Sequence, residues 1–325
     1  MTNLPIIEAA KDELTAIFKD LHQHPEIGFT EHRTAGVVAE KLKEYGVDEI
    51  HTGIAGTGVV GIIKGHEGSR RVGLRADMDA LPIDELTNLN YSSKTPGVMH
   101  ACGHDGHTTM LLGAAKHLAQ TRDFTGNAVL IFQPAEEGLG GARGMLADGL
   151  FERFPCDEIY GMHNTPNGRP GTVGICKGPA MAGASFFDIT IQGKGSHAAM
   201  PHQSRDPLVI ASDLVGSIQT ILSRNVAPLE TCVLSVTQIH SGSAYNIVPD
   251  TAKLAGTIRY FKQEVFDLAD RRMRELCSGF ATAYDVEITL DNRNTFDVLI
   301  NDEKLSEAYL EAAEDIVGKE NISGT

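Results

Sequence analysis

Apolar positions along the chain follow a helical period in some stretches and form short continuous runs in others. Ile6, Ile7, Leu14, Ile17, Phe18 and Leu21 recur at helical spacing over residues 5–22, and Pro25 stops the pattern. A second helical pattern runs from about Glu31 to Tyr45. It ends at Gly46, a residue suited to close a helix in the left-handed conformation. Apolar runs bounded by glycine follow at Gly58–Lys64 and Arg71–Ala76. After a helical stretch from about Gly106 to Gln120 come further runs at 127–133, 158–162 and 171–176. Such runs read as strands buried on both faces, and their alternation with helices predicts an α/β layer.

From about Pro179 the pattern changes. Residues 185–192 alternate as a half-exposed strand does, 206–223 are helical, 231–240 and 251–259 read as strands, 265–284 as a helix and 286–290 as a strand. The order β-α-β-β-α-β is the ferredoxin-like arrangement. Helical spacing returns over 303–317. The expected organisation is a catalytic domain over 1–178, an inserted ferredoxin-like α+β domain over 179–293, and a return to the first domain over 294–325.

Composition narrows the class. The 325 residues suffice for two domains, with 42% hydrophobic and 22% charged residues. No window approaches the roughly 18 uninterrupted apolar residues of a membrane helix. The segment from Met1 to Leu14 has no signal-peptide core, so a cytoplasmic location is expected. A net charge of −15 argues against a nucleic-acid surface. The five scattered cysteines suit a reducing compartment rather than a disulfide framework.

The candidate chemistry sits just after the strands. Asp77 and Asp79 follow the second run, and Glu136 and Glu137 follow the third. His163 follows the fourth, and Cys102 and His104 stand two apart where a loop enters a helix. Open α/β sheets place their sites at strand ends. Adjacent carboxylates there are costly to bury unless a metal or a proton compensates. Four excursions delivering thiol, imidazole and carboxylate to one edge predict a binuclear metal site with a bridging water, one glutamate ligating and the other taking the water's proton. Glycines 138, 140, 141 and 144 are not followed by Gly-Lys-Ser/Thr, which excludes a P-loop. His22 and His24 read as helix-end or supporting groups.

The motifs His22-Gln23-His24-Pro25-Glu26, Arg75-Ala76-Asp77-Met78-Asp79-Ala80-Leu81-Pro82, His100-Ala101-Cys102-Gly103-His104-Asp105, Gln133-Pro134-Ala135-Glu136-Glu137 and Gly161-Met162-His163-Asn164 resemble, in order, those of one known group. It is the amidohydrolase branch (hippurate hydrolases and N-acyl-L-amino-acid amidohydrolases) of the aminoacylase/carboxypeptidase metallopeptidase superfamily. The resemblance implies a mixed-sheet, zinc-peptidase-like catalytic domain whose inserted domain serves as lid and dimerisation surface. It also implies hydrolysis of the amide bond of N-acyl amino acids by metal-activated water, in a homodimer. Its metal ligands fall on Cys102, His104, Glu137 and His163, with two divalent transition ions (Zn, Mn, Co or Ni) in a complete site. Its general base falls on Glu136, and an acidic residue supporting the metal falls on Asp79. His197, in Gly195-Ser196-His197-Ala198, takes the place of a histidine that polarises the scissile carbonyl. Asn246 and Arg259 take the places of residues that hold the substrate carboxylate. Where other branches carry a ligating histidine, this chain has Asp77.

The resemblance further implies a later metal-binding histidine, and none follows His240. The chain therefore reads as truncated at its C-terminus. The alternative expectation is an inactive member of the family that folds and dimerises without a complete two-metal site. Thiol catalysis by Cys102 with His104 or His163 is a weaker third reading, because it gives the paired glutamates no role.

Overall fold

The computed structural model describes residues 4–324. The chain forms two compact units: residues up to Val173 together with Tyr309–Ser323, and Gly174–Ala308.

The first unit is built on a five-stranded mixed sheet of β1 (Glu49–Ile54), β2 (Gly58–Lys64), β3 (His66–Asp77), β4 (Thr125–Gln133) and β5 (Glu158–Gly161), in the order β1-β2-β4-β3-β5. β1, β2 and β4 pair antiparallel; β3 runs parallel to both β4 and β5. Alternation along β4 explains why the sheet is covered on both faces. Ala128, Leu130 and Phe132 enter one core with Leu21, Val38, Leu42 and Leu112 from the helices Lys11–Gln23, His32–Tyr45 and His104–Thr121. Val129 and Ile131 point the other way, to Ile54, Met145, Leu150 and Phe154. A sheet buried this way has apolar side chains on both faces, which is the continuous run seen in the sequence.

The predicted elements are present with shifted ends, but the runs at 158–162 and 171–176 are not strands buried on both faces: β5 is half-buried to exposed at the sheet edge, and Val173–Ile175 lies outside the five-stranded sheet. The first helical pattern is two helices, Pro5–Ala9 and Lys11–Gln23, parted at Ala10. β1 did not stand out, because EIHTGI is neither an apolar run nor alternating. β3 begins at His66, five residues before its apolar part, and those five are exposed. Gly46 closes its helix at φ 79°, as expected.

The second unit holds a four-stranded sheet ordered Cys232–Ser241, Thr251–Tyr260, Gly183–Gln192, Glu287–Phe296, with every neighbour antiparallel. Helices Pro207–Arg224 and Gln263–Tyr284 pack on it through Ile210, Leu214, Ile218, Ala269 and Met273. Asp206 caps the first of these helices by accepting the Leu208 and Val209 N–H groups, with Pro207 in the first turn. This is the βαββαβ arrangement expected from the sequence.

Candidate metal centre

Register, more than any single motif, assembles the site. β3, β4 and β5 are parallel, so their C-terminal ends share one edge. Asp77 lies opposite Gln133 and Arg75 opposite Gly161. The segments that leave this edge carry Asp79, Glu136, Glu137 and His163. A fourth segment is pinned there by the bridge between Leu81 and Met99. It turns at Gly103 (φ 91°) directly into the helix His104–Thr121. A Cβ on Gly103 would stand 2.6 Å from the Asn164 side chain, so glycine is required by both conformation and space. The helix starts two residues earlier than its apolar pattern suggests, which places His104 in its first turn.

Three overlapping sets of ligand atoms lie within 4.8 Å of one another: Cys102, His104 and His163; His104, Glu136 and Glu137; and Asp77, His104 and His107. In the third set Asp77 and His107 are already partnered, while His104 Nε2 stands 3.6 Å from Asp77 Oδ2. His107 Nδ1 is 2.6 Å from Asp77 Oδ1, and its Nε2 accepts the Asn164 N–H at 3.0 Å. Arg75 donates to Asp77 Oδ2 at 2.8 Å and to Gln133 at 2.9 Å. Burial works against ionisation of Asp77, but the His107 hydrogen bond and the charges of Arg75 and His104 outweigh it and hold the pKa well below the usual range. Asp77 is thus bound to protein groups already.

The first two sets are arranged differently. His163 Nδ1 donates to the Asn164 carbonyl at 2.6 Å, which turns its Nε2 lone pair toward Cys102 Sγ at 3.3 Å. His104, fully buried, uses Nδ1 on Asp79 Oδ1 at 3.1 Å. Its Nε2 stands 3.9 Å from Glu137 Oε1, and neither atom has a hydrogen-bond partner among the described residues. Donors each about 2.0–2.3 Å from one ion lie roughly 3–4 Å apart, so these separations fit shared coordination. Asp79 orients two of these groups at once, accepting also the Glu137 N–H at 2.8 Å.

The electrostatics agree. Burial disfavours charge on His104, yet the Asp79 hydrogen bond, the neighbouring Cys102 and the charges of Asp77 and Asp79 raise its pKa to about 11. The site pulls strongly on positive charge, as a cation site does. Glu136 is raised above the ordinary carboxylate value, first by burial and then by the charges of Asp77 and Glu137.

Beyond these, His22 Nδ1 is 2.6 Å from Asp105 Oδ2, and His24 Nδ1 donates to the Asp20 carbonyl at 2.8 Å at its helix end. His100 is buried with neither ring nitrogen paired among the described residues, and burial pushes its pKa down to about 4. The unfolded chain then binds a proton that the folded chain does not between about pH 6.5 and 4, so stability falls as pH drops through that window. The loss at pH 5 relative to pH 7 is about 2 kcal/mol. His100→Leu removes that term. Urea midpoints at the two pH values should differ less in the variant; an equal difference in both proteins would contradict the assignment.

The other predicted residues lie in the second unit. His197 pairs with Ile247 across a two-residue ladder, and Ala198 donates to the Asn246 carbonyl at 3.0 Å, so His197 and Asn246 are neighbours. His197 Nδ1 accepts the Ala199 N–H at 3.1 Å, which leaves the proton of the neutral ring on Nε2. Arg259 stacks over Phe186 at 5.3 Å and donates to the Ile258 carbonyl and to Thr257 Oγ1. Sequence reasoning passed over Glu31 and Thr57, and it named Asp77 without its partner His107; all four are buried.

A mixed α/β sheet with imidazole, thiol and paired carboxylates converging on the ends of its parallel strands defines a metal-dependent hydrolase class. The chain belongs to peptidase family M20/M25/M40, whose sequence profile matches residues 73–325. It is 43% identical over 321 residues to a hippurate hydrolase of Campylobacter jejuni, covering 99% of this chain and 83% of that one. It is 40% identical over 308 residues to an N-acetyl-L-cysteine deacetylase of Bacillus subtilis, covering 94% and 73%. The solved structure of a Bacillus subtilis dinuclear metal binding peptidase of the M20 family superimposes with a TM-score of 0.79 at 35% identity, covering 95% of this chain and 81% of that one. A solved chain from methicillin-resistant Staphylococcus aureus gives 0.89 at 32% identity, covering 98% and 84%. No helix among the described residues is long and apolar enough to cross a membrane.

Proposed function

We propose that the protein hydrolyses the amide bond of N-acyl amino acids, acetyl and benzoyl among the acyl groups, releasing a carboxylic acid and the free amino acid. The observation that carries this reading is the convergence of Cys102, His104, Glu136, Glu137 and His163 on one sheet edge, with His104 Nε2 and Glu137 Oε1 buried and unpartnered. The hippurate hydrolase and deacetylase relatives support the substrate class.

Cys102, His104, Glu137 and His163 would hold a divalent transition metal, two ions in a complete site. Their soft and borderline donors suit Zn, Mn, Co or Ni over Mg and Ca. When bound, the metal polarises the carbonyl and makes a water acidic near neutral pH. Glu136, with its raised pKa, takes the proton of the attacking water and passes it to the leaving nitrogen as the C–N bond breaks. Asp79 fixes the His104 ring and the Glu137 backbone. His197, through Nε2–H, donates to the developing oxyanion. Asn246 and Arg259 receive the substrate carboxylate, the guanidinium as a bidentate partner. The second unit acts as lid and as the surface of a homodimer, and the protein works in the cytoplasm.

The Cys102–His163 separation of 3.3 Å also suits a thiol nucleophile. That reading leaves both glutamates and the two orphan atoms without a role. Alkylation of Cys102 that stops turnover while metal stays bound would favour it.

A panel of benzoyl and acetyl amino acids, with carboxyl-amidated counterparts, tests the proposal. The free acids should be hydrolysed and the amides much less so; no hydrolysis of any N-acyl amino acid by metal-loaded protein would overturn it. Arg259→Gln should raise KM for the free acids about tenfold or more, from loss of a charged hydrogen-bonded pair, with little change for the amides. An equal effect on acids and amides would remove Arg259 from carboxylate recognition.

A further inference from the structure

We infer that Glu31 is a positioning residue that sets the backbone corner from which Glu136 and Glu137 both reach the metal centre. The inference rests on the functional reading above for those two glutamates.

Glu31 is 0% exposed. One carboxylate oxygen accepts the Ala135 N–H at 2.8 Å and the other accepts the Thr57 hydroxyl at 2.6 Å. Ala135 is itself fully buried and sits at φ 50°, a left-handed conformation that is unfavourable for a non-glycine residue. That conformation has a consequence for its two successors. Were β4 to continue extended, residues 136 and 137 would point to opposite faces of the sheet. With the corner at Ala135, an oxygen of Glu136 and an oxygen of Glu137 lie within 4.8 Å of each other and of a His104 nitrogen.

Several contacts hold the corner. Gly141 donates to the Ala135 carbonyl at 2.9 Å, and Gly28 packs so closely that a Cβ there would stand 2.8 Å from Ala135 Cα. Glu31 supplies the acceptor on the N–H side. Asp79 does the same for Glu137, so two buried carboxylates grip the backbone N–H groups of residues 135 and 137 on either side of Glu136. Packing alone gives no reason for a carboxylate at position 31, since burying one is unfavourable unless its hydrogen bonds compensate. Burial and the charge of Asp79 raise the Glu31 pKa, while Thr57 and backbone N–H groups oppose the rise.

Glu31→Met and Glu31→Gln separate positioning from mere support. Methionine keeps the volume and removes the acceptor; glutamine keeps an acceptor oxygen for Ala135 N–H. Circular dichroism establishes the folded fraction, and chelator competition with Zn²⁺ measures metal affinity per folded molecule. Loss of a group that orients ligands typically weakens metal affinity about 10–100-fold, and Glu31→Met should fall in that range, with kcat reduced and KM little changed. Glu31→Gln should restore most of both. Should methionine prove insoluble, glutamine alone decides with Thr57→Val beside it: weakened metal affinity in Thr57→Val and near-normal affinity in Glu31→Gln support the inference. A folded Glu31→Met, or failing that a folded Thr57→Val, with wild-type metal affinity and kcat overturns it, whatever the change in melting temperature. Glu137→Ala serves as reference. If it too leaves metal affinity unchanged, the functional reading fails; if it weakens binding while Glu31→Met does not, the inference about Glu31 alone fails.

Discussion

Glu136→Gln should lower kcat for N-acyl amino acids by about 10²–10⁴-fold, the range typical of a lost general acid–base, while metal uptake and fold stay near those of the parent protein. The substitution is nearly isosteric and removes only the ability to take and return a proton. Glu136 is the group at this edge whose environment suits that task. Its pKa is raised above the ordinary carboxylate value by burial and by the charges of Asp77 and Glu137. It is also close enough to His104 and Glu137 to share their ligand sphere. Glu137, by contrast, has its backbone N–H held by Asp79 and one oxygen facing His104 Nε2. A Glu136→Gln protein that binds metal normally and keeps more than a tenth of parental kcat would assign the base elsewhere.

The second large effect is expected at His104. It is the one residue common to both unsatisfied ligand groups, and it is fully buried. His104→Ala removes a donor from each group and leaves Asp79, Glu136 and Glu137 facing one another with less compensating charge. Metal affinity should fall by about 100-fold or more, since even groups that only orient ligands cost 10–100-fold. The readout need not be catalytic. A ligand that binds only the folded state stabilises it by about 4 kcal/mol at 1,000 times its dissociation constant. Metal addition should therefore raise the melting temperature of the parent protein clearly and that of the variant little. Equal shifts would place the ion elsewhere.

Much of this centre was legible in the sequence because parallel strands expose their C-terminal ends on a common edge. Asp79, Glu136, Glu137 and His163 each follow a run that reads as a strand, which placed them at strand ends, although the strand before His163 is half-buried to exposed rather than buried. The Cys102–His104 pair was legible from spacing, though its helix begins at His104, because Gly103 and not an apolar residue marks the start. Pairing between distant loops was not legible. Glu31 looked like a charge at a helix entrance, and its partner Ala135 lies 104 positions away. Asp77 and His107, 30 positions apart, satisfy each other in a way that no local pattern announces. Ala10 parts two helices inside a continuous apolar pattern, since periodicity records which face is buried and not whether the axis is unbroken. His197 and Asn246 became neighbours through a two-residue ladder too short to leave a strand signature.

Titration of demetallated protein with Zn²⁺, Mn²⁺ or Co²⁺, following bound metal and hydrolysis of benzoyl- and acetyl-amino acids in the same samples, shows whether turnover depends on this metal centre. Turnover should be negligible without metal and should rise in step with occupancy of the site containing Cys102, His104, Glu137 and His163. Full turnover by protein verified to be free of metal would contradict it.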